Sequence, residues 1–185
     1  MKKKIVLVGA STGGPTLIKK LICSLESLSC TVVVAQHMKE EILPSFIREL
    51  QASATVNVYK TPHSLDFESP SVYVCAESSV FVKDAFEYKL QTDKKNQKFT
   101  PDINKLFNSF CGYEQEFEIV VVIMTGMGSD GVLGAKNLRN LGVKIIAQDE
   151  ESSPLYGMPK VAYEAKIVDE VKSFSEIQNF FKGLE

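Results

Sequence analysis

Four runs of the chain are almost continuously apolar and rich in β-branched residues: Ile5 to Val8, Thr31 to Ala35, Ile119 to Met124 and Val143 to Ala147. Such short runs, without alternation, are what strands buried on both faces require. Between them the apolar positions recur at spacings of three and four. Leu17, Ile18, Leu21, Ile22 and Leu25 form one such stretch and Leu133, Leu138 and Leu141 another, each predicting an amphipathic helix. Strands alternating with helices predict an α/β fold: a doubly wound, mostly parallel sheet with helices on both faces, a Rossmann-like three-layer sandwich.

The middle of the chain breaks this rhythm. Ser71 to Ala76 and Ser79 to Lys83 are short β-type runs too close together for a helical crossover, which predicts an antiparallel hairpin insertion. Gln91 to Lys98 is polar and lysine-rich and reads as an exposed loop. Thr100 and Pro101 then read as the N-cap and first position of a helix over Pro101 to Gly112. Near the end, Ser173 is placed to cap a last amphipathic helix through Phe180 and Phe181, whose apolar side would dock on the sheet.

Composition narrows the class of protein. A length of 185 residues with 44% hydrophobic positions suits one compact domain with one large core. The formal charge of -2 supplies no global field for nucleic acid or an anionic membrane, and Lys2, Lys3 and Lys4 read as a solvated lead-in to the first strand. The run Ile5 to Val8 stops at Gly9, too short for a signal segment or a membrane span, so a cytoplasmic location without membrane insertion is expected. Cys23, Cys30, Cys75 and Cys111 are scattered without a Cys-x-x-Cys pair, which suggests reduced thiols rather than a zinc site or a disulfide framework.

Candidate chemistry begins in the turn Gly9-Ala10-Ser11-Thr12-Gly13-Gly14-Pro15-Thr16. A dinucleotide fingerprint needs glycine where Ser11 stands, because the backbone must approach pyrophosphate closely there. A phosphate-binding loop needs lysine where Pro15 stands. The turn does fit Gly-x-Ser-x-Gly, in which small neighbours let a serine hydroxyl stand exposed between a strand and a helix. The helix starting near Gly14 would aim its amides and its positive dipole end at the same spot, favouring an anionic intermediate. The alternative is a plain glycine turn in which Ser11 or Thr12 caps the helix.

A nucleophilic serine needs a base, and the chain has two histidines, His37 and His63. His37 follows the second buried run and would emerge at the same sheet edge as Ser11, whereas His63 lies in a segment that reads as a surface turn. The third run leads into Thr125-Gly126-Met127-Gly128-Ser129-Asp130-Gly131, whose aspartate could accept the second imidazole N–H of His37. Ser129 or Asp130 could instead cap the following helix, and Asp102 and Asp149 are further candidate acids. Ser11, His37 and Asp130 would thus leave three buried strands at one edge.

These motifs, together with Gln36-His37, Ala147-Gln148-Asp149 and Gly157-Met158-Pro159-Lys160, resemble the catalytic domain of the chemotaxis protein-glutamate methylesterases, the CheB family, along nearly the whole chain. The resemblance implies a triad of Ser11, His37 and Asp130, with Thr12 and the Met127 amide bordering the oxyanion site. It implies a serine hydrolase that removes methyl groups from γ-glutamyl methyl esters on the cytoplasmic helices of methyl-accepting chemoreceptors. Methanol and glutamate would be the products, receptor glutamines a second substrate, and no metal or organic cofactor would be needed. The chain departs from the family in two places. No N-terminal receiver domain is expected, so residues 1–185 would be one methylesterase catalytic domain, and Cys75-Ala76-Glu77 stands where an Ala-Pro-Gly turn is usual. The competing expectation is a non-catalytic module that binds an anion or nucleotide at its glycine turns.

Overall fold

In the computed structural model, which describes residues 2–85, 87–95 and 99–184, the four apolar runs form the contiguous middle of one parallel sheet. The first half of the chain runs β1 (Lys3–Ala10), α1 (Gly14–Ile22), β2 (Thr31–Gln36), α2 (Leu43–Ser53), β3 (Val58–Lys60), β4 (His63–Ser64), β5 (Val72–Val74), β6 (Ser79–Asp84) and β7 (Glu87–Thr92). The second half runs α3 (Ile103–Asn108), β8 (Phe117–Ile123), α4 (Val132–Asn140), β9 (Lys144–Gln148), α5 (Met158–Glu164), β10 (Glu170–Lys172) and α6 (Phe174–Lys182). Seven strands make the main sheet in the order β10-β9-β8-β1-β2-β5-β3, with every neighbouring pair parallel. β4, β7 and β6 make a small antiparallel sheet.

The middles of the central strands are apolar because both of their faces are covered. Ile5 and Leu7, Val33 and Ala35, and Ile119, Val121 and Ile123 share one core with α3, α4, α5 and the small sheet. The residues between them, Val6, Val8, Val32, Val34, Val120, Val122 and Met124, share the other with α1, α2 and α6. Each of these larger side chains, once withdrawn from water, contributes about 1.5–3 kcal/mol, which makes the three-layer arrangement the one in which no strand face is wasted. The last helix starts as its sequence indicates: Ser173 and Glu176 form a reciprocal capping box, and Ile177 and Phe181 are buried against the second face.

The middle of the chain is wired differently from its sequence pattern. Ser71 to Ala76 does not pair with Ser79 to Lys83; Val72–Val74 is a parallel strand inserted between β2 and β3 and buried on both sides. The antiparallel hairpin is made by β6 with β7, and β7 includes Gln91 and Thr92 from the segment expected to be a loop. Only Leu90 of β7 is buried, so the strand carries too little apolar pattern to announce itself. Residues 96–98 of the expected loop lie outside the described residues. α3 begins at Ile103 rather than Pro101, because the Asp102 side chain accepts the Lys105 N–H at 2.8 Å and takes the cap position expected of Thr100. In α4 the inward side chains are Val132, Ala135 and Leu138, while Leu133 and Leu141 are exposed. Phe81 of β6 stacks on Phe110 with ring centroids 4.3 Å apart, which fastens the small sheet over α3.

β1 lies between β2 and β8, so the winding of the sheet reverses at β1. The loops leaving the carboxyl ends of these three strands therefore meet over one crevice, the usual place for a site in an open α/β sheet. Among the described residues no helix is long and apolar enough to cross a membrane.

Candidate active site

The Ser11 turn is held from three directions. The Ser11 N–H donates to the Thr125 carbonyl at 2.9 Å, and the Ser11 carbonyl accepts from the Gly14 N–H at 2.9 Å and from Gln36 Nε2 at 2.8 Å. Gly13 is the N-cap of α1 in the left-handed region, φ 81°, and a Cβ there would lie 2.6 Å from Pro154. Glycine is needed on both counts. No side chain caps α1, which leaves the Ser11 hydroxyl free of the capping role that its position allowed.

That hydroxyl faces His37. The His37 N–H extends the sheet by donating to the Ala10 carbonyl at 2.9 Å, and its ring places Nδ1 3.3 Å from Ser11 Oγ and Nε2 2.6 Å from Asp130 Oδ2. A carboxylate only accepts, so Nε2 carries a proton, and in the neutral tautomer this fixes, Nδ1 turns its lone pair to the serine. Phe99 stacks on the imidazole, centroids 5.2 Å apart, and the His37 side chain is only 14% exposed.

Asp130 is almost wholly buried and surrounded by donors. Besides His37, the Ile103 N–H meets Oδ2 at 2.9 Å, and the N–H groups of Asn104 and Gly131 meet Oδ1 at 3.0 and 2.9 Å. Burial alone would raise its pKa, but the hydrogen bonds from His37, Ile103 and Asn104 outweigh it and hold the carboxyl below its ordinary value of 3.8. α3 supplies two of these amides, those of Ile103 and Asn104. The residue capping α4 is Gly131, not Ser129 or Asp130.

The other candidates are occupied elsewhere. His63 lies exposed in β4, paired with Leu90, with Nδ1 2.6 Å from the Ser64 carbonyl. Asp102 caps α3, and Asp149 accepts from the N–H and hydroxyl of Ser152. Thr12 is exposed next to Ser11, and Met127, 70% exposed, follows Gly126, whose Cα lies so close to Ser11 that a Cβ on it would sit 2.6 Å from the serine Cβ. Both residues therefore stand on loops next to Ser11. A cavity of about 260 Å³ opens beside Asp130, lined in part by Phe99, Asn104 and Leu133, while the larger hollows of about 540 and 550 Å³ lie at the opposite sheet edge and between α1 and α2. Among the described residues no group of three His, Cys, Asp or Glu side chains could hold a metal ion.

Thr125 and Gln148 have roles that sequence reading missed. The Thr125 N–H donates to Gln148 Oε1 at 2.9 Å, and the Thr125 hydroxyl donates to the Thr12 carbonyl at 2.9 Å while accepting from the Leu155 N–H at 3.0 Å. Both residues stand within recognisable motifs, but only their complete burial marks them as internal ties between loops.

A parallel α/β sheet with serine, histidine and aspartate in hydrogen-bonded series at its carboxyl edge is the architecture of the α/β serine hydrolases. Residues 6–181 match the family model described as CheB methylesterase, and the chain belongs to that family. It is 35% identical over 181 residues to the protein-glutamate methylesterase/protein-glutamine glutaminase of Bacillus subtilis (strain 168), covering 95% of this chain and 50% of that protein. It is 36% identical over 178 residues to the protein of the same name from Sulfurimonas denitrificans, with 94% and 50% covered. The chain thus spans about half the length of the curated relatives it matches. The crystal structure of the Thermotoga maritima CheB methylesterase catalytic domain superposes with a TM-score of 0.84 at 25% identity, covering both chains completely.

Proposed function

We propose that residues 1–185 act as one methylesterase catalytic domain that hydrolyses γ-glutamyl methyl esters on the cytoplasmic helices of methyl-accepting chemoreceptors. The observation that carries this reading is the continuous series Ser11 Oγ, His37 Nδ1, His37 Nε2, Asp130 Oδ2, with separations of 3.3 and 2.6 Å at its two hydrogen-bonded contacts. Membership of the CheB family and the name shared by the relatives supply the substrate class, and they favour this reading over an anion- or nucleotide-binding module. The work would be done in the cytoplasm, where those receptor helices lie.

In the first half-reaction His37 Nδ1 takes the Ser11 proton as Oγ bonds to the ester carbonyl carbon. The carbonyl oxygen becomes an oxyanion stabilised by the Thr12 and Met127 amides and the positive end of α1. Asp130 stabilises the imidazolium, which returns the proton to the departing methoxide so that methanol leaves. A water, deprotonated by the same nitrogen, then attacks the acyl-enzyme and frees Ser11 and the glutamate side chain. A glutamine amide would follow the same course, with ammonia leaving in place of methanol.

Methanol release from methylated receptor membranes tests the assignment. Ser11→Ala should abolish release and also labelling by a serine-directed phosphonate. A variant that retains normal release would overturn Ser11 as the nucleophile.

A further inference from the structure

Gln36 ends β2 fully buried at the carboxyl edge, between the serine turn and the histidine. Its Nε2 donates to two carbonyls, that of Ser11 at 2.8 Å and that of His37 at 2.8 Å. Its Oε1 is buried with no hydrogen-bond partner among the described residues. Burying an unpaired amide oxygen offsets much of what two hydrogen bonds contribute, so the fold itself gains little from having glutamine rather than an apolar side chain of similar size here.

What the amide does accomplish is geometric. The Ser11–Thr12 peptide is trans and planar, so the Ser11 carbonyl and the Thr12 N–H point in opposite directions. The carbonyl is held by Gly14 N–H and Gln36 Nε2, which turns the Thr12 N–H away from both donors and leaves it for the oxyanion role proposed above. The same Nε2 holds the carbonyl of His37, whose ring must meet that Oγ. One buried NH2 group therefore ties the oxyanion donor to the base.

We propose that Gln36 is a positioning residue that sets the Thr12 amide and the His37 backbone relative to one another, resting on the reading above in which Ser11 is the nucleophile and the Thr12 amide an oxyanion donor. Gln36→Met keeps length and burial but removes both donated bonds. The oxyanion donor is then loosened rather than deleted, and deletion of such a donor costs about 10²–10³ in kcat, so kcat for methanol release should fall about tenfold to a hundredfold with KM unchanged. Leu50→Ala, a cavity in the core under α2, serves as a control that lowers Tm and keeps kcat.

Three outcomes separate the possibilities. An inactive Ser11→Ala beside a Gln36→Met with wild-type kcat overturns the positioning role alone. Normal release by Ser11→Ala overturns the nucleophile and the role of Gln36 with it. In the unsubstituted protein, where folding is not in question, both Gln36 side-chain amide protons should exchange slowly, and the Thr12 amide proton should move downfield when Ser11 is phosphonylated. Rapid exchange, or a Thr12 resonance that does not respond, overturns the proposal whatever Gln36→Met does.

Discussion

Replacing Asp130 by asparagine puts an NH2 group into a site that offers the side chain almost nothing but donors. The carboxylate accepts from His37 Nε2 and the Ile103 N–H on Oδ2, and from the Asn104 and Gly131 N–H groups on Oδ1. Asparagine has one oxygen to divide among them. With that oxygen toward His37 and Ile103, the NH2 confronts two buried backbone donors, each left unpaired at a cost of about 1–3 kcal/mol. Turned the other way, it leaves only the Ile103 N–H unpaired and donates to His37 Nε2. The second orientation wins by the difference, about 1–3 kcal/mol, or roughly fivefold to a hundredfold in population. It also forces the ring proton onto Nδ1, which then faces Ser11 as a donor and cannot take the serine proton. In the reaction proposed above, that shift alone lowers the competent tautomer roughly fivefold to a hundredfold and the lost carboxylate charge no longer stabilises the imidazolium, so steady-state methanol release should fall further, toward the roughly 10⁴ in kcat seen when a triad aspartate is made neutral. Tm should fall by roughly 2–4 °C for each kcal/mol lost. The pH dependence follows from the depressed carboxyl: its stabilisation is complete above the unfolded value near 3.8 and is lost as pH falls through the lower folded value. The stability gap between the wild type and Asp130→Asn should accordingly hold at neutral pH and shrink in acid. A kcat near that of the wild type in a variant with the expected loss of Tm would refute this account of the tautomer.

Two further outcomes test the packing around the site. Burial pushes the Cys30 and Cys75 thiols up to about 11 and about 12, whereas Cys23 and Cys111 are half-buried, so a thiol reagent near neutral pH should reach only the latter pair until the chain is unfolded. Peptide mapping that finds Cys75 modified in the native protein would contradict this. Gly126→Ala would place a Cβ 2.6 Å from Ser11 Cβ, 2.9 Å from Ser11 N and 2.5 Å from Met158 Sδ. Overpacking there should cost about 1–3 kcal/mol and most of the esterase activity proposed above, and unchanged melting together with unchanged methanol release would show that the loop yields freely.

The parts of the fold visible in the chain are those whose environment is the same along the whole element. β1, β2, β8 and β9 lie in the middle of the sheet, so beyond the exposed residues near the starts of β1, β8 and β9 nearly every side chain faces a packed layer and the run is almost continuously apolar. β5 has the same character, but its partners β2 and β3 are set by long-range register and not by its nearest neighbour in sequence, so local spacing alone points to the wrong hairpin pair. β7 faces solvent on one side and keeps a single buried residue, so its pattern resembles a loop.

Side-chain chemistry at strand ends was enough to nominate Ser11, His37 and Asp130, because a parallel sheet delivers the carboxyl ends of neighbouring strands to one edge. Which imidazole nitrogen meets the serine, how many amides hold Asp130, and that Gln36 and Thr125 brace the turn were decided only by tertiary structure. Those contacts join β1, β2, α3, β8 and the loop before α5, segments distant in the chain that meet only when the two cores close on the sheet. A hydrogen bond depends on tenths of an ångström and on direction, and residue type and spacing alone carry neither.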